Sequence, residues 1–163
     1  VGLPNAGKST LVSKLTAAKP KIADYPFTTL TPNLGIVQLS NYRSFVIADI
    51  PGIIEGAHQG KGLGHRFLRH IERNSVLLYV IPSDSEDIIT ELNILENELN
   101  KFSTELALKD KLLVISKSDF LDDELKLWLT DQLNTINIPW LFVSSFTKEN
   151  LASLKEELWK IIQ

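Results

Sequence analysis

Short apolar runs alternate with longer amphipathic ones along this 163-residue chain. Residues 76–81, 112–115 and 140–143 are almost wholly apolar and bounded by polar residues. Runs of that length read as strands buried on both faces of a sheet. Ile88, Leu92, Leu95, Leu99, Phe102 and Leu106 recur at alternating spacings of four and three. That spacing predicts one apolar face of a single long helix, and Ser83-Asp84-Ser85-Glu86 before it fits a capping box. Helices are also predicted over 8–18, 65–73, 122–136 and 148–162, with strands over 76–81, 112–116 and 140–144. Residues 34–40 and 43–49 read as two strands around a turn at Asn41, hence an antiparallel pair. Residues 21–33, rich in Pro and Thr, read as loop. Residues 52–64 carry five glycines and are expected to be mobile. Strands alternating with helices predict an α/β three-layer sandwich, its sheet mostly parallel with one antiparallel strand. No internal repeat, low-complexity tract or second domain interrupts the pattern.

Composition narrows the picture without changing it. The length suits one domain with a real core, and 44% hydrophobic with 23% charged residues is that of a globular chain. A net charge of −3 provides no global field for nucleic acid or membrane, so any RNA contact would use a local patch. Cys is absent, which excludes disulfides and thiolate metal sites. The apolar runs are far too short to span a bilayer. The chain has no Met and begins at Val1, one residue before the first motif. We therefore expect residues 1–163 to be one domain excised from a longer protein. Its first, central strand would be largely missing, and the piece would be less stable than the whole domain.

That first motif is Gly2-Leu3-Pro4-Asn5-Ala6-Gly7-Lys8-Ser9, which matches G-x-x-x-x-G-K-[ST] at every fixed position. Its glycines let successive backbone N–H groups turn inward around a polyphosphate, and the helix that follows directs its positive end at the same anion. Lys8 would supply a compact charge to the β and γ phosphates, and the Ser9 hydroxyl would ligate Mg²⁺.

Three further stretches extend this chemistry. Asp49-Ile50-Pro51-Gly52 ends a predicted strand. Asp49 there can hold the Mg²⁺ shell through water, and Gly52 lets a backbone N–H approach the γ-phosphate. Thr28 and Thr29 lie in the Thr-rich loop. Thr29 is expected to complete the Mg²⁺ shell only while a γ-phosphate holds the loop, the alternative being solvated threonines. Ser116-Lys117-Ser118-Asp119 follows the strand ending near Ile115. A carboxylate at Asp119 can accept from both N1–H and the exocyclic amine of guanine, a donor pair adenine lacks, while Lys117 lays its stem along the base. Ser144-Ser145-Phe146 follows the next strand, where a backbone N–H can meet the guanine O6.

The ordered set GLPNAGKS, FTTL, DIPG, SKSD and SSF resembles a translation-factor-class GTPase domain. The stretches 23–30, 49–58 and 60–73 resemble the Obg family closely, and the likeness covers essentially the whole chain. It implies a P-loop NTPase fold and a cytoplasmic, monomeric GTPase that needs Mg²⁺. It also implies GTP, GDP and guanosine tetraphosphate as ligands, and a role in assembly of the large ribosomal subunit and in stress or growth control. The catalytic set is then Lys8, Thr29 and Gly52. The nucleotide-binding set adds Thr10 and Phe27 to the residues above. The family's glycine-rich N-terminal domain is expected to precede residues 1–163 in the longer protein.

Two departures matter. Ser116 stands where the family usually has Asn, which bonds the base N7 and braces the P-loop; the shorter Ser is expected to lower affinity. Ile53 follows Asp-x-Pro-Gly, where Ras-like enzymes carry a water-orienting Gln, so hydrolysis is expected to be slow. Asn5 either ligates a K⁺ that substitutes for an arginine finger or merely caps the loop. His65, Arg66, Arg69, His70 and Arg73 fall within nine residues. They form either a ribosomal contact or a solvated face. Two other functions stand beside the GTP-hydrolysing switch: a nucleotide sensor with negligible hydrolysis, and a P-loop ATPase.

Overall fold

A computed structural model of the chain describes residues 1–3, 5–17, 21–22, 32–49, 69 and 71–163. Its strands are β1 (Lys21–Ile22), β2 (Asn33–Gln38), β3 (Ser44–Asp49), β4 (Val76–Pro82), β5 (Asp110–Ser116) and β6 (Trp140–Phe142). Its helices are α1 (Lys8–Leu15), α2 (Ile88–Phe102), α3 (Thr104–Ala107), α4 (Asp123–Leu133) and α5 (Leu151–Ile162). Strands β4, β5 and β6 pair in parallel in that order. Strand β2 runs antiparallel to β3, as the two predicted strands require, and antiparallel to β1 as well. The loop expected over 21–33 is therefore interrupted by a short strand, Lys21 and Ile22 facing Leu34 and Asn33. The β2–β3 turn passes through Asn41 (φ 60°) and Tyr42 (φ 59°). Two successive left-handed residues match the twist of the flanking strands, and Asn tolerates that region better than most.

The apolar runs divide between two cores, which makes the molecule three-layered. Leu77, Tyr79 and Ile81 of β4 and Leu113 and Ile115 of β5 face Leu92, Leu95 and Leu99 of α2 and Leu129 and Leu133 of α4. Val80, Leu112, Val114 and Val143 face Leu11 and Leu15 of α1 and Leu154 and Leu158 of α5. Burying one such Leu contributes about 1.5–3 kcal/mol. The alternation is that of parallel strands covered on both sides.

The amphipathic stretch after residue 87 is not one helix. Ser103 is extended (φ −157°), ends α2 and caps α3 by accepting from the Leu106 N–H. Leu106 stays fully buried, so the apolar spacing is satisfied by two helices. The capping box is also displaced. Ser83 is held elsewhere: its N–H donates to Ser116 O and its hydroxyl to Lys117 O. The cap is Asp87, which accepts from the Thr90 N–H at 3.0 Å, and Ser85 bonds Glu91 instead. The last predicted helix begins later, at Leu151, because Lys148 and Asn150 are left-handed. Of the helix expected over 65–73, Arg69, Ile71 and Glu72 are helical, and 65–68 and 70 lie outside the described residues.

Val1 pairs with the edge of β4 opposite β5, where Val80 N–H donates to Val1 O at 2.8 Å and the Val1 amine to Leu78 O at 2.7 Å. Beyond it, a cavity of about 310 Å³ lies among Val12, Val46, Ala48, Asp49, Leu78 and Val80. Among the described residues no helix is long and apolar enough to cross a membrane.

Candidate functional site

The parallel strands end on one side, and the loops that leave them there carry the chemistry. From Val1 the chain turns through Gly2, Leu3, Asn5, Ala6 and Gly7 into α1. Gly2 is required by close approach: a Cβ there would sit 2.5 Å from Val80 O. Asn5 (φ 65°) and Gly7 (φ 89°) are left-handed. That reversal sets Lys8 at the first position of α1, with Gly7 as its cap and no side-chain cap bond among the described residues. Exposed first-turn N–H groups and the helix dipole favour an anion at this end.

Lys8 and Ser9 are engaged with neighbours. Lys8 Nζ donates to Gly2 O at 2.6 Å, and Ser9 Oγ donates to Asp49 Oδ2 at 2.8 Å. Asp49 is buried at the end of β3, whereas Ser9 and Thr10 are exposed at the helix surface. The predicted convergence of Ser9 and Asp49 is therefore present. Both groups are hard oxygen donors of the kind Mg²⁺ takes. Among the described residues no three or more His, Asp or Glu side chains group around a metal position. A bound Mg²⁺ would therefore depend on phosphate oxygens and water for most of its ligands, which is its ordinary habit.

Ser116, Lys117, Asp119 and Ser144, expected from sequence to read a base, lie just at or after the ends of β5 and β6. Ser116 ends β5 and its hydroxyl donates to Ala6 O at 2.7 Å. The shorter side chain thus still reaches the P-loop, by a buried bond across 110 residues of sequence. A hydroxyl has one proton, and this one is directed at Ala6. Lys117 is left-handed (φ 56°), opens the 3₁₀ turn Ser118–Phe120, and pairs with Asp84 at 3.3 Å. Asp119 is exposed, and its Oδ1 accepts from Ser144 Oγ at 2.6 Å. Ser144 is fully buried, and its N–H donates to Glu149 O at 3.2 Å. The amide next along the chain, that of half-buried Ser145, is the one suited to the base O6; Phe146 beside it is exposed.

Several contributors carry no signature in the sequence. Ser118 is fully buried and donates to Glu149, which also accepts from Lys126 at 2.9 Å. The Ser118 and Lys126 hydrogen bonds hold the Glu149 carboxyl below its usual range. Ser83 and Asp84, read from sequence as part of a helix cap, support and pair with Lys117 instead. Nothing in residue type or spacing separates Glu149 from the polar residues on either side of it. Pro4, Phe27, Thr28, Thr29, Ile50, Pro51, Gly52 and Ile53 lie outside the described residues, as do His65, Arg66 and His70.

Residues 1–117 match the family model described as 50S ribosome-binding GTPase. A relative named GTPase Obg from Flavobacterium johnsoniae is 62% identical over 164 residues, covering 99% of this chain and 49% of its own length. Its namesake from Cytophaga hutchinsonii is 62% identical over 159 residues, covering 98% and 47%. The solved G domain of the FeoB iron transporter from T. maritima matches with a TM-score of 0.67 at 24% identity, over 100% of this chain and 96% of that one. That likeness establishes the P-loop GTPase fold. The chain spans about half the length of the curated relatives it matches. With the turn at residues 2–9, the Ser9–Asp49 pair and the Asp119–Ser144 pair in such a fold, the chain belongs to the 50S ribosome-binding GTPase family, among its Obg members.

Proposed function

We propose that this chain binds GTP and GDP and hydrolyses GTP slowly, as a switch in assembly of the large ribosomal subunit and in growth or stress control. The observation that supports this reading is a pair of side-chain groups suited to the two halves of a guanine nucleotide. The Lys8–Ser9–Asp49 group suits a polyphosphate, and Asp119, joined to Ser144, suits the paired donors of guanine. Ser9, with Asp49 through water, would hold Mg²⁺, which when bound supplies positive charge to the β and γ oxygens. Lys8 would exchange Gly2 O for phosphate, and α1 would aim its N-terminus at the same group. Gly52 would approach the γ-phosphate by its backbone N–H, and Thr29 would close on it only in the triphosphate state. The same pocket would accept guanosine tetraphosphate. In the cell the chain would act as a cytoplasmic monomer, with Arg69 and Arg73, both exposed, within the ribosome-facing patch.

The rate is expected to be low because Ile53 cannot orient water. An arginine finger is worth roughly 10³–10⁵ in rate elsewhere, and no Arg lies in the P-loop or the Thr-rich loop. Asn5 is exposed and left-handed at the mouth of the P-loop, a place from which it could hold a K⁺. Single-turnover hydrolysis in K⁺ and in Na⁺ at equal ionic strength tests the reading. Slow turnover, faster in K⁺ and with the gain lost in Asn5→Ala, is expected. Equal rates in both salts would make Asn5 a loop residue only, and no turnover in either would leave a nucleotide sensor.

A further inference from the structure

Glu149 joins the two base-reading loops without itself reaching the base. It lies ahead of α5 between Lys148 (φ 64°) and Asn150 (φ 58°). Two left-handed residues flanking it turn the chain back under the site, a conformation that persists only when its surroundings enforce it. Part of that enforcement is visible: Asn150 Nδ2 donates to Phe142 O at 2.9 Å. The carboxylate is then shared. Its Oε2 accepts from Ser118 Oγ at 2.5 Å and its Oε1 from Lys126 Nζ at 2.9 Å, while its carbonyl accepts the Ser144 N–H.

Those partners are the two supports of Asp119. Ser118 is its chain neighbour and fully buried. Ser144, also fully buried, donates to its Oδ1. Asp119 is otherwise exposed. The direction of its carboxylate therefore follows from where Ser118 and Ser144 stand. Accepting from both N1–H and the 2-amino group of guanine needs two acceptor directions nearly coplanar with the base. A small tilt keeps one bond and loses the other.

Resting on the guanine-nucleotide reading above, we propose that Glu149, fixed by Lys126, is a positioning residue for base selection: it sets the aim of Asp119 and hence the preference for guanine over hypoxanthine, which lacks the 2-amino group. Lys126 anchors the carboxylate to α4, so that its distance from both serines is set by a rigid helix. The nearby Asp119 charge opposes ionisation of Glu149, and the bonds from Ser118 and Lys126 outweigh it.

The test is equilibrium binding of GDP, IDP and ADP with Mg²⁺ to the 163-residue chain and to Glu149→Ala, Glu149→Gln and Lys126→Met, with melting curves for each. The wild-type chain is expected to favour GDP over IDP by about tenfold or more, the worth of one hydrogen bond to a charged acceptor. Glu149→Ala should bring GDP and IDP to within about threefold of each other, on the same scale of bond energies. Glu149→Gln, whose amide oxygen still accepts from Ser118 but whose NH2 cannot accept from Lys126, and Lys126→Met, which leaves the Ser118 bond in place, should both fall between wild type and Glu149→Ala. A merely structural role would weaken both nucleotides in proportion and leave the ratio unchanged. An unchanged ratio in Glu149→Ala overturns the assignment; if that variant does not fold, an unchanged ratio in Lys126→Met does so. Equal wild-type binding of GDP and ADP would instead overturn the guanine reading itself.

Discussion

At the end of the site near β5 and β6, Asp119 accepts from Ser144, and Glu149 accepts from Ser144, Ser118 and Lys126. At the phosphate end, Lys8 is bonded to a carbonyl of its own loop and Ser9 to Asp49, contacts a polyphosphate with its Mg²⁺ would replace. The Asp119 carboxylate is thus held by the protein's own bonds, which need not change on nucleotide binding. The phosphate side must exchange partners. The difference separates two tasks. On the proposed reading, a fixed frame would read the identity of the base, and groups that exchange partners would read the number of phosphates. A switch needs the second property, because GTP and GDP differ only at that end.

Replacing Lys8 tests the rearranging end most severely. Lys8→Ala should lower GDP affinity by about 10²–10³, the cost of leaving buried phosphate charge without its cation. Guanosine, which has no phosphate, should bind no worse than before, as isothermal titration would show.

The link between the two ends is the Ser116–Ala6 bond. Ser116→Ala should weaken GDP binding by about fivefold, in line with one neutral hydrogen bond. Ser116→Thr, which keeps the hydroxyl, should restore much of it. Loss for GDP with little change for guanosine would place the effect on the P-loop; equal loss for both would assign Ser116 to the base pocket instead.

A smaller effect concerns acid stability. Hydrogen bonds from the Thr90 N–H and hydroxyl hold Asp87 below its usual range, as those from Ser118 and Lys126 hold Glu149. A carboxyl depressed on folding stabilises the fold above its unfolded pKa, and that contribution is lost as pH falls through the lower folded value. The melting temperature should therefore be insensitive to these groups above about pH 5 and fall below about pH 4, where free carboxyls begin to protonate. Glu149→Gln should make that fall shallower at the base end, and melting curves across this range would reveal it.

Much of this was legible in the sequence because it depends on local pattern. The buried strands β4 and β5 follow from unbroken apolar runs, and α1 follows from the P-loop that must precede it. The Asn41 turn follows from one residue that tolerates left-handed geometry. Ser9 and Asp49, forty residues apart, could be paired only because both belong to ordered motifs. What was not legible depends on contacts at a distance. Ser83 looks like a cap until Lys117 and Ser116 claim it. Ser103 is an ordinary residue within a helical spacing until its extended backbone divides α2 from α3. Glu149 and Lys126 are two charges among many on polar surfaces, and their pairing across 23 residues has no sequence period. Ser116 looked too short for its position, yet the strand end brings it within 2.7 Å of Ala6 O.

The central claim is that Asp119, held by Ser144, selects guanine. Competition of GDP, XDP and ADP against one fluorescent GDP analogue, for wild type and Asp119→Asn, tests it most directly. The account predicts that GDP displaces the probe from wild type at least about 10²-fold more effectively than ADP, since a pocket built to hydrogen-bond its ligand rejects analogues strongly. In Asp119→Asn the order should reverse in favour of XDP, whose 2-carbonyl accepts from the new amide. Equal displacement by GDP and ADP from wild type, or an Asp119→Asn protein that still prefers GDP, would contradict it.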